Sequence, residues 1–300
     1  MLGFQSKNQR ISNLVTAALS EVTGKTIKIN SEKSLGGGCI NHASKLETNK
    51  GNFFLKWNEK CQPDIFIREA ESLRELKKAA GNNIIIPEVF ATKQVDDTPG
   101  FLVLEYLEES RFSVSSDEKL GWGLTKIHKY SNLQFGFYNN NYCGATLQNN
   151  NWSNNWAKFF RDNRLQFLLN MIDNEQPIPA EERKLFDKLL NRIENILPAK
   201  PVPALIHGDL WSGNFMKTDK GLALIDPAAY YADCEMEFAI ITMFGGFSQH
   251  FFSAYNEINP LPADWKSRNR LYQLYHVLNH YYLFGGGYLG QAIEIAKSYI

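Results

Sequence analysis

Hydrophobic residues recur along this chain in more than one rhythm, and each rhythm predicts a different kind of element. Ile11, Leu14, Val15, Ala18, Leu19 and Val22 are spaced by three and four, the mark of an amphipathic helix. The segments 26–34, 42–48 and 52–57 then alternate polar and apolar positions. Leu35-Gly36-Gly37-Gly38 and Asn49-Lys50-Gly51 lie between them, so three antiparallel strands joined by glycine turns are predicted. Helical spacing returns over 64–79 through Ile65, Ile67, Ala70, Leu73 and Leu76. Pro87 precedes two further strand-like runs, 89–94 and 100–107. Beyond residue 115 helical periodicity dominates, predicting helices at 119–130, 153–171, 180–197, 234–244, 248–257, 267–284 and 288–299. Trp152, Trp156 and Phe160 fall at helical spacing, and a proline-rich stretch from Pro198 to Pro203 separates a helix from the apolar run that follows.

These elements predict an α+β chain: a small antiparallel sheet with one long helix over 1–107, an extended hinge at about 102–108, and a larger, mostly helical lobe over 108–300. That is the arrangement of the bilobal protein-kinase-like fold, with a nucleotide cleft between the lobes. Three hundred residues with 44% hydrophobic content are enough for a substantial core. Thirty-two basic and thirty-two acidic residues cancel, and no dense Lys/Arg block occurs, which argues against a nucleic-acid partner or an anionic membrane surface. Cys39, Cys61, Cys143 and Cys234 form no C-x-x-C pair, a reduced, cytoplasmic pattern. Neither a signal-peptide stretch nor a membrane-spanning run is expected.

The candidate chemistry sits after the proline-rich stretch. The apolar run Ala204-Leu205-Ile206 leads into His207-Gly208-Asp209-Leu210-Trp211-Ser212-Gly213-Asn214, and a second run, 222–225, ends in Asp226. Phosphoryl transfer needs a carboxylate to take the proton of the attacking hydroxyl, and an amide oxygen and a second carboxylate to hold Mg2+ against the triphosphate. Asp209 fits the first role; Asn214 and Asp226 fit the other two. The interval from Asp209 to Asn214 equals that of the kinase catalytic loop H-R-D-x-x-x-x-N. His207 reads as a brace whose ring bonds the backbone near Asp226, with a second base or a metal ligand as the alternatives.

Upstream, Gly36-Gly37-Gly38-Cys39-Ile40-Asn41 lies between two strands, where glycine lets backbone N–H groups approach phosphates; an ordinary hairpin turn is the alternative. Lys56 closes an apolar strand, and Glu69, with Glu71 as fallback, is the expected helix carboxylate beside it. The segment 101–107 is the expected hinge, with Glu105 and Leu107 at an adenine edge, although a plain buried strand reads the same way. Trp211 offers a flat ring to a sugar face or to packing alone. His128 reads as a core histidine. His276 and His280 are four apart, but no H-E-x-x-H pattern and no third ligand accompany them, which argues against zinc and leaves substrate contact or packing. Asp233, Glu235 and Glu237 read as charges complementing a helix dipole. Cys39 could be an exposed, reactive thiol.

Several blocks together resemble the fructosamine/ketosamine-3-kinase family, a branch of the aminoglycoside-phosphotransferase-like kinases. They include the glycine turn, Leu104-Glu105-Tyr106-Leu107, Asn141-Tyr142-Cys143-Gly144, the Asp209 loop with its Trp211, Ile225-Asp226-Pro227-Ala228, Phe244-Gly245-Gly246-Phe247, and the Tyr272–His280 segment with Leu283-Phe284-Gly285-Gly286-Gly287-Tyr288. The resemblance implies ATP-dependent phosphorylation of the sugar 3-hydroxyl of a ketosamine, free or protein-bound, and so deglycation. It implies Asp209 as base, Asn214 and Asp226 as Mg2+ ligands, Lys56 with Glu69 as phosphate clamp, and Trp211, His276 and His280 toward substrate. It also implies a monomer or a redox-dependent homodimer through Cys39. A kinase for another small alcohol stays open as a second reading. A nucleotide-binding pseudokinase is disfavoured by the intact Lys56, Asp209, Asn214 and Asp226.

Overall fold

A computed structural model of the chain describes residues 2–36, 41–110 and 117–300, with side chains from Gln9 onward. Helix α1 (Leu2–Thr23) leads into a five-stranded antiparallel sheet of β1 (Ile29–Ser34), β2 (His42–Thr48), β3 (Gly51–Asn58), β4 (Val89–Lys93) and β5 (Gly100–Glu105). The spatial order is β1-β2-β3-β5-β4, and helix α2 (Ile65–Ala80) crosses between β3 and β4.

Strand alternation decides what each face of this sheet does. Successive side chains point to opposite faces, so Phe53, Leu55 and Trp57 of β3 and Phe101 and Val103 of β5 share one face. There they pack with Ile11, Val15 and Leu19 of α1 into a small core. The intervening positions Phe54, Lys56, Leu102 and Leu104 take the other face. Leu102 and Leu104 join the main core with Ala70, Leu73 and Leu76 of α2, leaving Lys56 as the polar position in an apolar setting. Val22, at the end of the α1 pattern, is exposed.

The rest is mostly helical: α3 (Asp117–Lys129), α4 (Trp156–Phe159), α5 (Phe167–Glu175), α6 (Ala180–Leu190), α7 (Ile193–Ile196), α8 (Glu235–Phe244), α9 (Gln249–Ile258), α10 (Trp265–Phe284) and α11 (Tyr288–Lys297). Three two-stranded pieces interrupt it: β6 (Asn141–Cys143) with β7 (Thr146–Gln148), β8 (Ala204–Ile206) with β11 (Tyr230–Ala232), and β9 (Phe215–Thr218) with β10 (Gly221–Leu224). No helix among the described residues is long and apolar enough to cross a membrane.

Two expected helices come out differently. The one expected at 153–171 starts only at Trp156, because Asn155 caps it by accepting the N–H of Lys158, so Trp152 stands in the preceding loop. Between α4 and α5 the backbone widens into a π-helical stretch, Phe160–Gln166. The helix expected at 180–197 breaks between Leu190 and Ile193. The β6–β7 hairpin was not anticipated; strands of three residues are too short to show a period.

The sheet region is tied to the helical region through the backbone. Ile85 N–H bonds Leu222 O at 2.8 Å and Leu224 N–H bonds Ile85 O at 3.0 Å, fixing the segment after α2 beside β10. Tyr231 donates its hydroxyl to the buried Glu75 of α2 at 2.8 Å. This holds α2, and with it Glu69, against the strands that carry the Asp209 loop.

Candidate active site

A cleft of about 860 Å3 is lined from both regions, by Lys56, Glu69, Glu105 and Leu107 on one side and Asp209, Trp211, Asn214, Asp226 and His280 on the other. Gly36 and Asn41 line it as well, while Gly37, Gly38, Cys39 and Ile40 lie outside the described residues.

Lys56 is placed by its strand and Glu69 by its helix, and they meet with Nζ 2.9 Å and 3.1 Å from the two Glu69 oxygens. The same ammonium lies 3.1 Å from Asp226 Oδ1. Burial alone would favour the neutral amine, but the charges of Asp226 and Glu69 outweigh it and hold the Lys56 ammonium above its usual range. Glu71, the fallback partner, instead pairs with Arg68 at 3.0 Å. Asp226 adopts a left-handed backbone, with φ of 53°, a conformation Asp tolerates better than bulkier residues. That turn brings its carboxylate into the cleft just as β10 ends.

The loop after β8 is held from beneath. Glu237 of α8 is fully buried and accepts the N–H of His207 at 2.5 Å and of Gly208 at 3.1 Å. His207 Nε2 lies 2.9 Å from Ile225 O and so carries the hydrogen, while Nδ1 accepts the Asp209 N–H at 3.3 Å. Burial pushes the His207 pKa down, in keeping with a neutral ring. Gly208 has φ of 83°, and a Cβ there would stand 2.2 Å from Ala228 O, so glycine is required. Asn214 donates its amide to Asp209 O at 2.8 Å and to Oδ2 at 3.1 Å. Burial, with the nearby Asp226 charge, pushes Asp209 up to about 8.

Asn214 and Asp226 suit a magnesium ion. The Asn214 nitrogen is spent on Asp209, which orients its Oδ1 as a free hard oxygen, and Ile225 N–H bonds Asn214 O at 3.0 Å, keeping the two residues side by side.

At the other end of the cleft the lining turns aromatic. Trp211 is 39% exposed, its ring folded over Gly213 and 6.0 Å from Phe244. The ring of His280 lies 5.4 Å from Phe244 and 5.2 Å from Tyr288. His276 does not line the cleft; it is buried behind it, and burial lowers its pKa to about 3.

The reading of Asp233, Glu235 and Glu237 as dipole charges is too small. All three are buried: Asp233 accepts the Tyr272 hydroxyl at 2.8 Å, Glu235 pairs with Arg268 through two bonds, and Glu237 holds the Asp209 loop. Their position at a helix start was visible in sequence, but the partners come from distant segments. His128 is the buried core histidine expected, with Nδ1 2.7 Å from the Tyr255 hydroxyl and Nε2 3.6 Å from Glu237.

Comparison with known proteins agrees with this geometry. A family model described as fructosamine kinase matches residues 11–300. The chain is 37% identical over 286 residues to the chloroplastic protein-ribulosamine 3-kinase of Oryza sativa subsp. indica, covering 92% of this chain and 81% of that one. It is 33% identical over 293 residues to the ketosamine-3-kinase of Mus musculus, covering 88% and 93%. Among solved structures, a protein of Haemophilus somnus provisionally assigned as a fructosamine-3-kinase superposes with a TM-score of 0.86 at 27% identity over the whole of both chains. An aminoglycoside phosphotransferase captured with AMP-PNP and hygromycin B superposes at 0.61 with 17% identity, covering 95% of this chain and 98% of that one, which shows the shared protein-kinase-like fold. The chain belongs to the fructosamine kinase family.

Proposed function

We infer that the protein is an ATP-dependent ketosamine 3-kinase, which phosphorylates the sugar 3-hydroxyl of a ketoamine adduct and thereby leads to release of the amine. One juxtaposition carries the phosphotransfer half of this reading: the Lys56–Glu69–Asp226 charge cluster and the Asp209–Asn214 pair open into the same cleft. The acceptor half is supported by the named activities of the rice and mouse relatives.

In this reading Lys56 holds the α- and β-phosphates, kept in place by Glu69. Glu105 and Leu107 line the same cleft, and their backbone groups would meet an adenine edge. Asn214 Oδ1 and the Asp226 carboxylate would hold Mg2+, which when bound would offset the charge of the phosphates. Asp209 takes the proton of the attacking hydroxyl; its buried setting makes the carboxylate a stronger base than one in water. Trp211 and His280 border the acceptor, which is a small-molecule or protein-bound ketosamine.

ATP turnover on fructosamine, ribulosamine and erythrulosamine adducts, beside aminoglycoside and choline controls, tests the assignment. Phosphate at the sugar 3-oxygen of an adduct is the expected result. Phosphorylation of a control alcohol with none of the adducts consumed overturns it.

A further inference from the structure

Cys143 Sγ, a carboxylate oxygen of Asp209 and a ring nitrogen of His276 all lie within 4.8 Å of one another. They come from three separate places, the β6 strand, the loop after β8 and the middle of α10. We propose that these three residues form a binding site for one soft divalent cation of the zinc class, and that its occupation stops phosphotransfer by engaging Asp209.

The chemistry of the donor set points to such an ion rather than to magnesium. A thiolate and an imidazole select zinc-like ions, whereas Mg2+ prefers hard oxygens. The geometry is close to what is needed: zinc bonds of about 2.0–2.3 Å place tetrahedral ligand atoms roughly 3.5 Å apart. Small side-chain rotations would bring the three atoms in from their present spacing, and Cys143 and Asp209 both line the cleft, from which a fourth ligand can come.

The surroundings supply the outer contacts that metal ligands use. Asn279 Nδ2 lies 3.4 Å from Cys143 Sγ and stabilises negative sulfur. Asn214 bonds Asp209 Oδ2 at 3.1 Å, which fixes that carboxylate and leaves Oδ1 available. His276 is buried, and its Nδ1 has no hydrogen-bond partner among the described residues. The same burial that keeps the Cys143 thiol protonated would reward a dication, because the ion neutralises the thiolate and carboxylate it binds. Binding releases the thiol proton to solvent, together with that of Asp209 where the carboxyl is protonated. In sequence the four-residue spacing of His276 and His280 lacked a third ligand and argued against zinc; the fold turns His280 into the cleft and gives His276 two other companions.

Metal-free protein, without nucleotide, is titrated with Co2+ and followed by absorption. One equivalent per chain is expected, with a thiolate-to-cobalt charge-transfer band that Zn2+ displaces. Cys143→Ser should abolish the band, and His276→Asn and Asn279→Leu should each weaken binding roughly tenfold or more. At constant Mg–ATP, added Zn2+ should inhibit the wild type, and Cys143→Ser should resist when each protein is compared with its own zinc-free rate. No charge-transfer band in the wild type overturns the proposal, as does a band undiminished in Cys143→Ser, which would place the ion on another cysteine. If Cys143→Ser does not fold, the histidine variant decides: unchanged Co2+ affinity there removes the site. The inhibitory consequence rests on Asp209 being the base; the cobalt titration does not, so the two can fail separately.

Discussion

At one end of the cleft Lys56 reaches two carboxylates, each within 3.1 Å, while behind the other end His276 Nδ1 and Asn279 Oδ1 are buried with no hydrogen-bond partner among the described residues. The difference follows what each end has to do. On the proposed function the Lys56 end takes a triphosphate, the same ligand in every turnover, so its charged partners can be locked against one another before it arrives. The other end, which on the same proposal takes the acceptor, brings aromatic faces and unsatisfied polar atoms behind them, each orphan costing about 1–3 kcal/mol until something satisfies it. Of the two, only Asn279 lines the cleft, so an acceptor hydroxyl that reached it would be favoured over one that cannot.

The sharpest break in this comparison comes at the residue between the two ends. Asp209→Asn should lower kcat by about 10²–10⁴-fold, the usual range for losing a general base, with nucleotide affinity retained. Retained turnover in that variant would remove Asp209 as the base. Lys56→Met comes next: it leaves Glu69 and Asp226 without their cation and should cost about 10²-fold in kcat/KM for ATP. Acceptor KM should scarcely move, and a loss divided equally between ATP and acceptor would contradict the division of the cleft. Glu237→Gln replaces one accepting oxygen with a donor facing a backbone N–H, an expected loss of about 1–3 kcal/mol in chemical denaturation together with a lower kcat.

The Lys56 end was far easier to read in the sequence than the aromatic end, and the reason is physical. Lys56 stood out as a polar residue closing an apolar strand, and Glu69 because it sits on the next helix; both signals are local. Asp209, Asn214 and Asp226 are close enough in sequence for spacing alone to bring them together. Glu237 escaped because its partners are thirty residues away, and a carboxylate at a helix start has a simpler explanation ready. The pairing of Cys143 with Asp209 and His276 depends on three distant segments and a two-strand hairpin with no period to detect. The main elements of the sheet and helices were legible for the same local reasons, while the π-helical stretch at 160–166 looked like ordinary helix because widening the turn does not disturb the apolar pattern.

Smaller effects belong to the acceptor end. Trp211→Ala should reduce acceptor kcat/KM by roughly two- to tenfold, the range expected for about 0.5–1.5 kcal/mol of ring contact, with KM for ATP unchanged. An unchanged acceptor kcat/KM would leave Trp211 as a ring that only covers Gly213 and Phe244.

The mildest change separates an unsatisfied atom from a supporting one. Asn279 keeps its nitrogen on Cys143 through contacts of 3.4 Å and leaves Oδ1 unpaired. Replacing it with leucine removes an orphan together with a weak bond, so stability should stay within about 1 kcal/mol of the wild type. At the Lys56 end an apolar substitution strands two carboxylates, whereas here it strands little. If Oδ1 meets an acceptor hydroxyl, KM for the adduct should rise a few-fold in Asn279→Leu, with kcat and ATP binding retained. A destabilised protein with unaltered acceptor KM would instead make Asn279 part of the framework, and the contrast between the two ends would then rest on the aromatic rings alone.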